Sequence, residues 1–125
     1  MMQSMLFIKA PGEPGQTWHQ DESHIPTRDR SLTEVWIALD DATVANGCLW
    51  VLPGSHRDGV LYPTRTQNDP RFDSAPEAFD FEFSQDDAVP VEVAAGDAVV
   101  FDGHLLHRSL PNHHHTLRRA LVITI

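Results

Sequence analysis

The apolar positions of the chain fall into short runs separated by proline, glycine and acidic residues, and none keeps a helical period. Residues 5–9 form one such run, closed by Pro11, Gly12, Pro14 and Gly15, the pattern of a strand followed by a tight connection. Residues 16–21 read as a second strand, and the polar stretch around Pro26, up to residue 31, as a loop. Strands are expected at 32–39 and 48–52, both rich in strand-forming residues, with a turn or bulge at 40–47 between them. Segments 89–93, 98–101, 105–110 and 118–125 complete a set of eight strands. From 57 to 88 the pattern dissolves, because Pro63, Pro70 and Pro76, with Asp69, Asp73, Asp80, Asp86 and Asp87, allow neither period. A connection of that length inside a compact domain reads as a functional loop or lid, or as a disordered surface excursion.

Short strands joined by Pro/Gly-rich turns indicate an all-β sandwich, barrel or jelly roll, with little or no helix. The 125 residues fit a single domain, 1–125, large enough for a real core. Hydrophobic residues at 41% and charged residues at 22% are ordinary for a soluble globular protein. The net charge of -9 argues against nucleic acid or an anionic membrane as a partner. No apolar run approaches the roughly 20 residues that span a bilayer. Residues 1–5 lack a basic, then long apolar, signal-peptide pattern. The single Cys48 cannot form an internal disulfide, which points to a cytoplasmic setting with the thiol as a small core filler.

Candidate chemistry centres on His19-Gln20-Asp21. In a strand, residues two apart share a face, so His19 and Asp21 would project together while Gln20 points away. A third ligand from His107 would make a two-His, one-carboxylate triad, which holds one face of an octahedral Fe(II) and leaves the others open. A jelly roll folds early and late strands beside one another and makes that meeting feasible. The competing reading of His-X-Asp alone is a solvated loop pair. His113, His114 and His115 are consecutive in a polar loop and cannot all face one metal from an extended strand. His24, His56 and His104 read as turn or surface residues, His104 being close enough to the triad to support it. Trp18 and Trp50 read as core, and the acidic run at 80–87 as a solvated loop face.

His19-Gln20-Asp21, residues 36–41, residues 46–56, Ala95-Gly96-Asp97, and residues 105–109 followed by Arg118 together resemble the phytanoyl-CoA dioxygenase family over nearly the whole chain. The resemblance implies a double-stranded β-helix, a jelly-roll form related to the cupins. It implies an Fe(II)- and 2-oxoglutarate-dependent dioxygenase that hydroxylates a small molecule, consumes O2 and releases succinate and CO2. By position, His19, Asp21 and His107 match the iron ligands, and Arg118 the arginine that grips the far carboxylate of 2-oxoglutarate. Ser109 matches an assisting hydroxyl, while Met5 and Trp36 resemble residues lining the cosubstrate pocket. A guanidinium suits a carboxylate because its planar fork makes two parallel charge-assisted bonds. Arg118 and Arg119 alternate faces of the last strand, so only one points inward. A carboxylate at Asp21, where related halogenases carry a small residue, favours hydroxylation.

The chain departs from the family in length, since comparable members are about twice as long and carry helices ahead of the first core strand, packed on one sheet. A lysine from that part commonly touches 2-oxoglutarate. Two expectations follow: an uncovered apolar sheet face buried by homo-oligomerisation, and a weakened grip on the cosubstrate. The alternatives to the enzyme reading are a non-catalytic jelly-roll binding module and a cupin-type metal protein, whose usual three histidines and a glutamate this pattern fits poorly.

Overall fold

Alternation of buried and more exposed residues is strongest in two segments, Thr33–Ala38 and Arg118–Thr124, and these lie side by side at the centre of one sheet. The computed structural model describes residues 2–125; Met1 lies outside them. The strands are β1 (Gln3–Lys9), β2 (Gln16–His19), β3 (Thr33–Ala38), β4 (Leu49–Val51), β5 (Thr64–Arg65), β6 (Glu77–Ala78), β7 (Val89–Val91), β8 (Ala98–Asp102), β9 (His107–Ser109) and β10 (Arg118–Thr124). A single helical turn, α1 (Asp21–His24), and a 3-10 turn at Gln85–Asp87 complete the description.

All eight expected strands are present with ends shifted by a few residues, and they form two four-stranded sheets ordered β1-β10-β3-β8 and β2-β9-β4-β7. Every ladder between them is antiparallel. Successive strands alternate between the two sheets except at β4 and β7, which pair with each other in the second sheet, the arrangement of a double-stranded β-helix. The register stacks inward-facing residues of the first sheet in layers: Gln3, Thr124, Glu34 and Phe101; then Met5, Val122, Trp36 and Val99; then Phe7, Ala120 and Ala38; then Lys9 and Arg118. Trp36, Ala38, Ala120 and Val122 join Cys48 and Leu49 in the core between the sheets. Cys48 is fully buried, and burial pushes its thiol up to about 11, so it is an inert filler.

The excursion at 57–88 is not structureless. It contains the β5–β6 pair, and its Tyr62, Phe81 and Phe83 pack on a second core cluster of Trp18, Leu52, Ala78 and Leu106. It therefore covers the outer face of the second sheet. The anchors stand at irregular spacing and the loop is held by side-chain amides, with Gln67 donating to the carbonyls of Asp73 and Ala75. Neither device produces a period in sequence.

Among the described residues, the outer face of the first sheet has no such cover. Leu6 is 57% exposed, Ile8 53% and Val100 64%, and Leu121, Ile37, Ile123 and Val35 lie in register between them. No helix among the described residues is long and apolar enough to cross a membrane.

Candidate active site

The antiparallel register of β2 and β9 pairs His19 directly with His107, which brings together two residues from opposite ends of the sequence. Their rings lie 4.1 Å apart between centroids. Nδ1 of His19 is 2.8 Å from the Thr17 carbonyl, and Nδ1 of His107 is 2.9 Å from the Leu105 carbonyl. A carbonyl only accepts, so each Nδ1 carries the proton and each Nε2 presents its lone pair to the site. Burial, then the neighbouring His107 ring, hold His19 down to about 4, so it is neutral at physiological pH, the form a metal needs.

Asp21 reaches the same point by a different route from the one expected. β2 ends at His19, Gln20 is extended, and Asp21 opens the helical turn α1 rather than continuing the strand. The shared-face argument from strand geometry is therefore incorrect for Asp21. The turn nonetheless places its carboxylate 3.5 Å from His19 Nε2 and 3.4 Å from His107 Nε2. Gln20 enforces that exit. Its buried amide donates to the carbonyls of Val60 and His104 and accepts from the Tyr62 N–H, clamping the end of β2 between the excursion and the β8–β9 turn. Glu22 closes the other side of α1 by accepting from Thr27 and from the Leu32 N–H. The α1 turn sits close on Gly103, where a Cβ would come within 2.8 Å of the Leu32 side chain and 3.3 Å of Glu22.

One ligand atom from each of His19, Asp21 and His107 lies within 4.8 Å of the others. Adjacent ligands on an octahedral first-row ion with bonds of about 2.1 Å stand about 3 Å apart. A small contraction would place all three on one ion, and two imidazoles with one carboxylate suit Fe(II). The residues fit the metal.

The cluster opens into a cavity of about 550 Å³ that is also lined by Met5, Trp36 and Arg118. Arg118 is buried and donates from Nε to the Gly47 carbonyl at 3.1 Å, and its guanidinium lies 5.4 Å from the centre of the Trp36 ring. No carboxylate pairs with it among the described residues. Arg119 faces outward and pairs with Asp40 at 2.8 Å.

Ser109 is placed differently from expectation. It is 1% exposed and does not line the cavity, its hydroxyl accepting instead from Lys9 Nζ at 2.7 Å and from the Gln16 N–H. Of the remaining histidines, His24 is exposed in the α1 turn, where it also lines the cavity. His104 lies in the β8–β9 turn but is buried rather than on the surface, with Nδ1 2.9 Å from Asp102. Sequence reasoning missed Lys9 and Glu34, which share inward faces with Met5 and with Trp36, so strand parity alone would have flagged both. Burial raises the Glu34 carboxyl to about 7, and Thr124 bonds it at 2.9 Å. Asp73, also on the cavity wall, comes from the excursion and had no parity to reveal it.

Fold and site together define a double-stranded β-helix protein with a two-His, one-carboxylate centre beside a buried arginine. The phytanoyl-CoA dioxygenase family model matches residues 1–120, and the chain belongs to that family. It is 39% identical over 127 residues to phytanoyl-CoA dioxygenase 1 of Oryza sativa subsp. japonica, covering 100% of this chain and 44% of that protein. Against the phytanoyl-CoA dioxygenase of Arabidopsis thaliana, identity is 40% over 114 residues, covering 90% and 39%. Among solved structures, the apo non-heme monooxygenase ThoJ superposes with a TM-score of 0.79 at 28% identity, covering 97% of this chain and 44% of that one. EvdO2 from Micromonospora carbonacea var. aurantiaca, complexed with 2-oxoglutarate, gives 0.76 at 33% identity, covering 97% and 51%. The chain thus spans less than half the length of these two curated relatives.

Proposed function

We propose that this domain is the core of an Fe(II)- and 2-oxoglutarate-dependent dioxygenase that hydroxylates a small molecule. The observation that carries the reading is the opening of His19, Asp21 and His107 into the same cavity as Arg118, a buried guanidinium with no carboxylate partner among the described residues. An unpaired buried cation is costly and calls for an anion. In this reading His19, Asp21 and His107 hold the iron, Arg118 takes the far carboxylate of the keto acid, and Trp36 and Met5 wall the chamber. Fe(II) with 2-oxoglutarate would supply the activation of O2, converting the keto acid to succinate and CO2 while the substrate gains a hydroxyl. The substrate end is then the layer of Gln3, Glu34 and Phe101 with His24 at the mouth, suited to a small polar or neutral molecule. Membership of the family and the 2-oxoglutarate complex of EvdO2 support this reading. The buried, unreactive Cys48 suits a cytoplasmic protein.

Anaerobic titration with Fe(II) and 2-oxoglutarate tests the reading. It should produce a weak visible charge-transfer band, and admission of O2 should yield succinate. Metal binding without that band would instead support a cupin-type site, and no metal binding a non-catalytic module. The bare outer face of the first sheet is proposed to be buried against a second copy of this chain, because an apolar patch of that extent is rarely left in water.

A further inference from the structure

At the end of the cavity opposite Glu34 lie two cations rather than one. Lys9 on β1 is the register partner of Arg118 on β10, both side chains point inward, and they are 7% and 4% exposed. Like charges set directly opposite in a ladder destabilise it, and neither cation has a carboxylate within salt-bridge distance among the described residues. Lys9 Nζ donates to Ser109 Oγ at 2.7 Å and to the Leu110 carbonyl at 2.9 Å, which leaves one of its three donors free. Gly47 seats both groups. Its carbonyl accepts from Arg118 Nε, and a Cβ at that position would stand 2.8 Å from Lys9 Cδ and 3.2 Å from Nζ. Gly47 also has φ of +89°, the left-handed region that favours glycine.

We propose that Lys9 is a second cationic anchor for the far carboxylate of 2-oxoglutarate, acting from β1 opposite Arg118 and tied to the Ser109 hydroxyl. The inference rests on the reading of the cavity as a 2-oxoglutarate site. It gives Ser109 a role that its position off the cavity wall otherwise lacks: it fixes the ammonium while Lys9 reaches the ligand.

The charged groups around Lys9 are Arg118 on β10, Asp73 in the excursion, Cys48 beside β4 and Glu13 in the β1–β2 turn. Burial, then Arg118, lower Lys9 to about 7. A carboxylate bound between the two cations would favour the charged ammonium. Above pH 7, therefore, binding should take up a proton, and affinity should fall about tenfold per pH unit.

The test is calorimetric titration of 2-oxoglutarate into the Mn(II)-loaded protein without oxygen, in two buffers of different ionisation enthalpy. Wild type should take up close to one proton per site above pH 7. Lys9→Met should bind roughly tenfold or more weakly below that pH and show no proton uptake above it. Lys9→Arg, cationic throughout, should lose the uptake and hold 2-oxoglutarate independently of pH, and it serves as the variant of record if Lys9→Met does not fold. Wild-type binding without proton uptake, matched by Lys9→Met, would overturn the assignment of Lys9 and leave the cosubstrate reading standing. No binding of 2-oxoglutarate by wild type would overturn both.

Discussion

The two sheets divide the work and are covered unequally. The second sheet, through β2 and β9, supplies the paired histidines, and its outer face is roofed by Tyr62, Phe81 and Phe83 of the excursion. The first sheet supplies Arg118, Trp36, Lys9 and Glu34 to the inside, while Leu6, Ile8 and Val100 stand open on the outside. Its inner face thus carries charged groups beside the apolar core, while its outer face presents apolar side chains. Polar residues are tolerated in a core where they face a binding cavity, and bare apolar faces are tolerated only where something covers them.

Loss of one group from each sheet should separate the two roles most sharply. His107→Ala should abolish both metal binding and the charge-transfer band. Arg118→Ala should keep the metal and cost about 2–5 kcal/mol in keto acid affinity, roughly thirtyfold or more, read by anaerobic titration. Equal loss of metal in both variants would break the division. The unequal cover predicts a contrast in stability. Trp18→Ala, under the excursion, should cost about 3–5 kcal/mol in denaturant melts, whereas Leu6→Ser on the bare face should stay within about 0.5 kcal/mol of neutral. Leu6→Ser should instead weaken self-association in sedimentation, and a wild-type chain that remains monomeric at high concentration would remove the proposed second copy.

A smaller effect belongs to Glu34. Its folded value of about 7 exceeds the ordinary 4.5, so the native state keeps a proton that the unfolded chain has released between those two pH values. The resulting stabilisation is complete below about 4.5 and is lost as pH rises through about 7. Glu34→Gln should flatten this slope in a series of thermal melts, and an unchanged slope would show that the carboxyl is not the group titrating. Least of all, Arg119→Ala on the outer face should cost only about 0–1 kcal/mol, because its pair with Asp40 is solvent-screened.

Much of this arrangement is legible before any coordinates. Strand parity puts Arg118 and Arg119 on opposite faces and the family resemblance makes Arg118 the inward one, turn residues mark all eight ladder strands, and the motifs around His19 and His107 pick out the residues that cluster. The same parity, applied to β1 and β3, would have found Lys9 and Glu34. Asp21 shows where the method stops: its strand assignment was wrong, because Gln20 is captured by carbonyls from two remote loops and turns the backbone into α1.

The sequence by itself determined the periods, the turns and the donor types, all of which depend on neighbours a few residues apart. Only the tertiary structure decided that the excursion is a roof, that Ser109 serves Lys9 rather than the cavity wall, and that two cations share one end of the chamber. Those facts arise from side chains meeting across sheets and loops, and such contacts leave no local period to read.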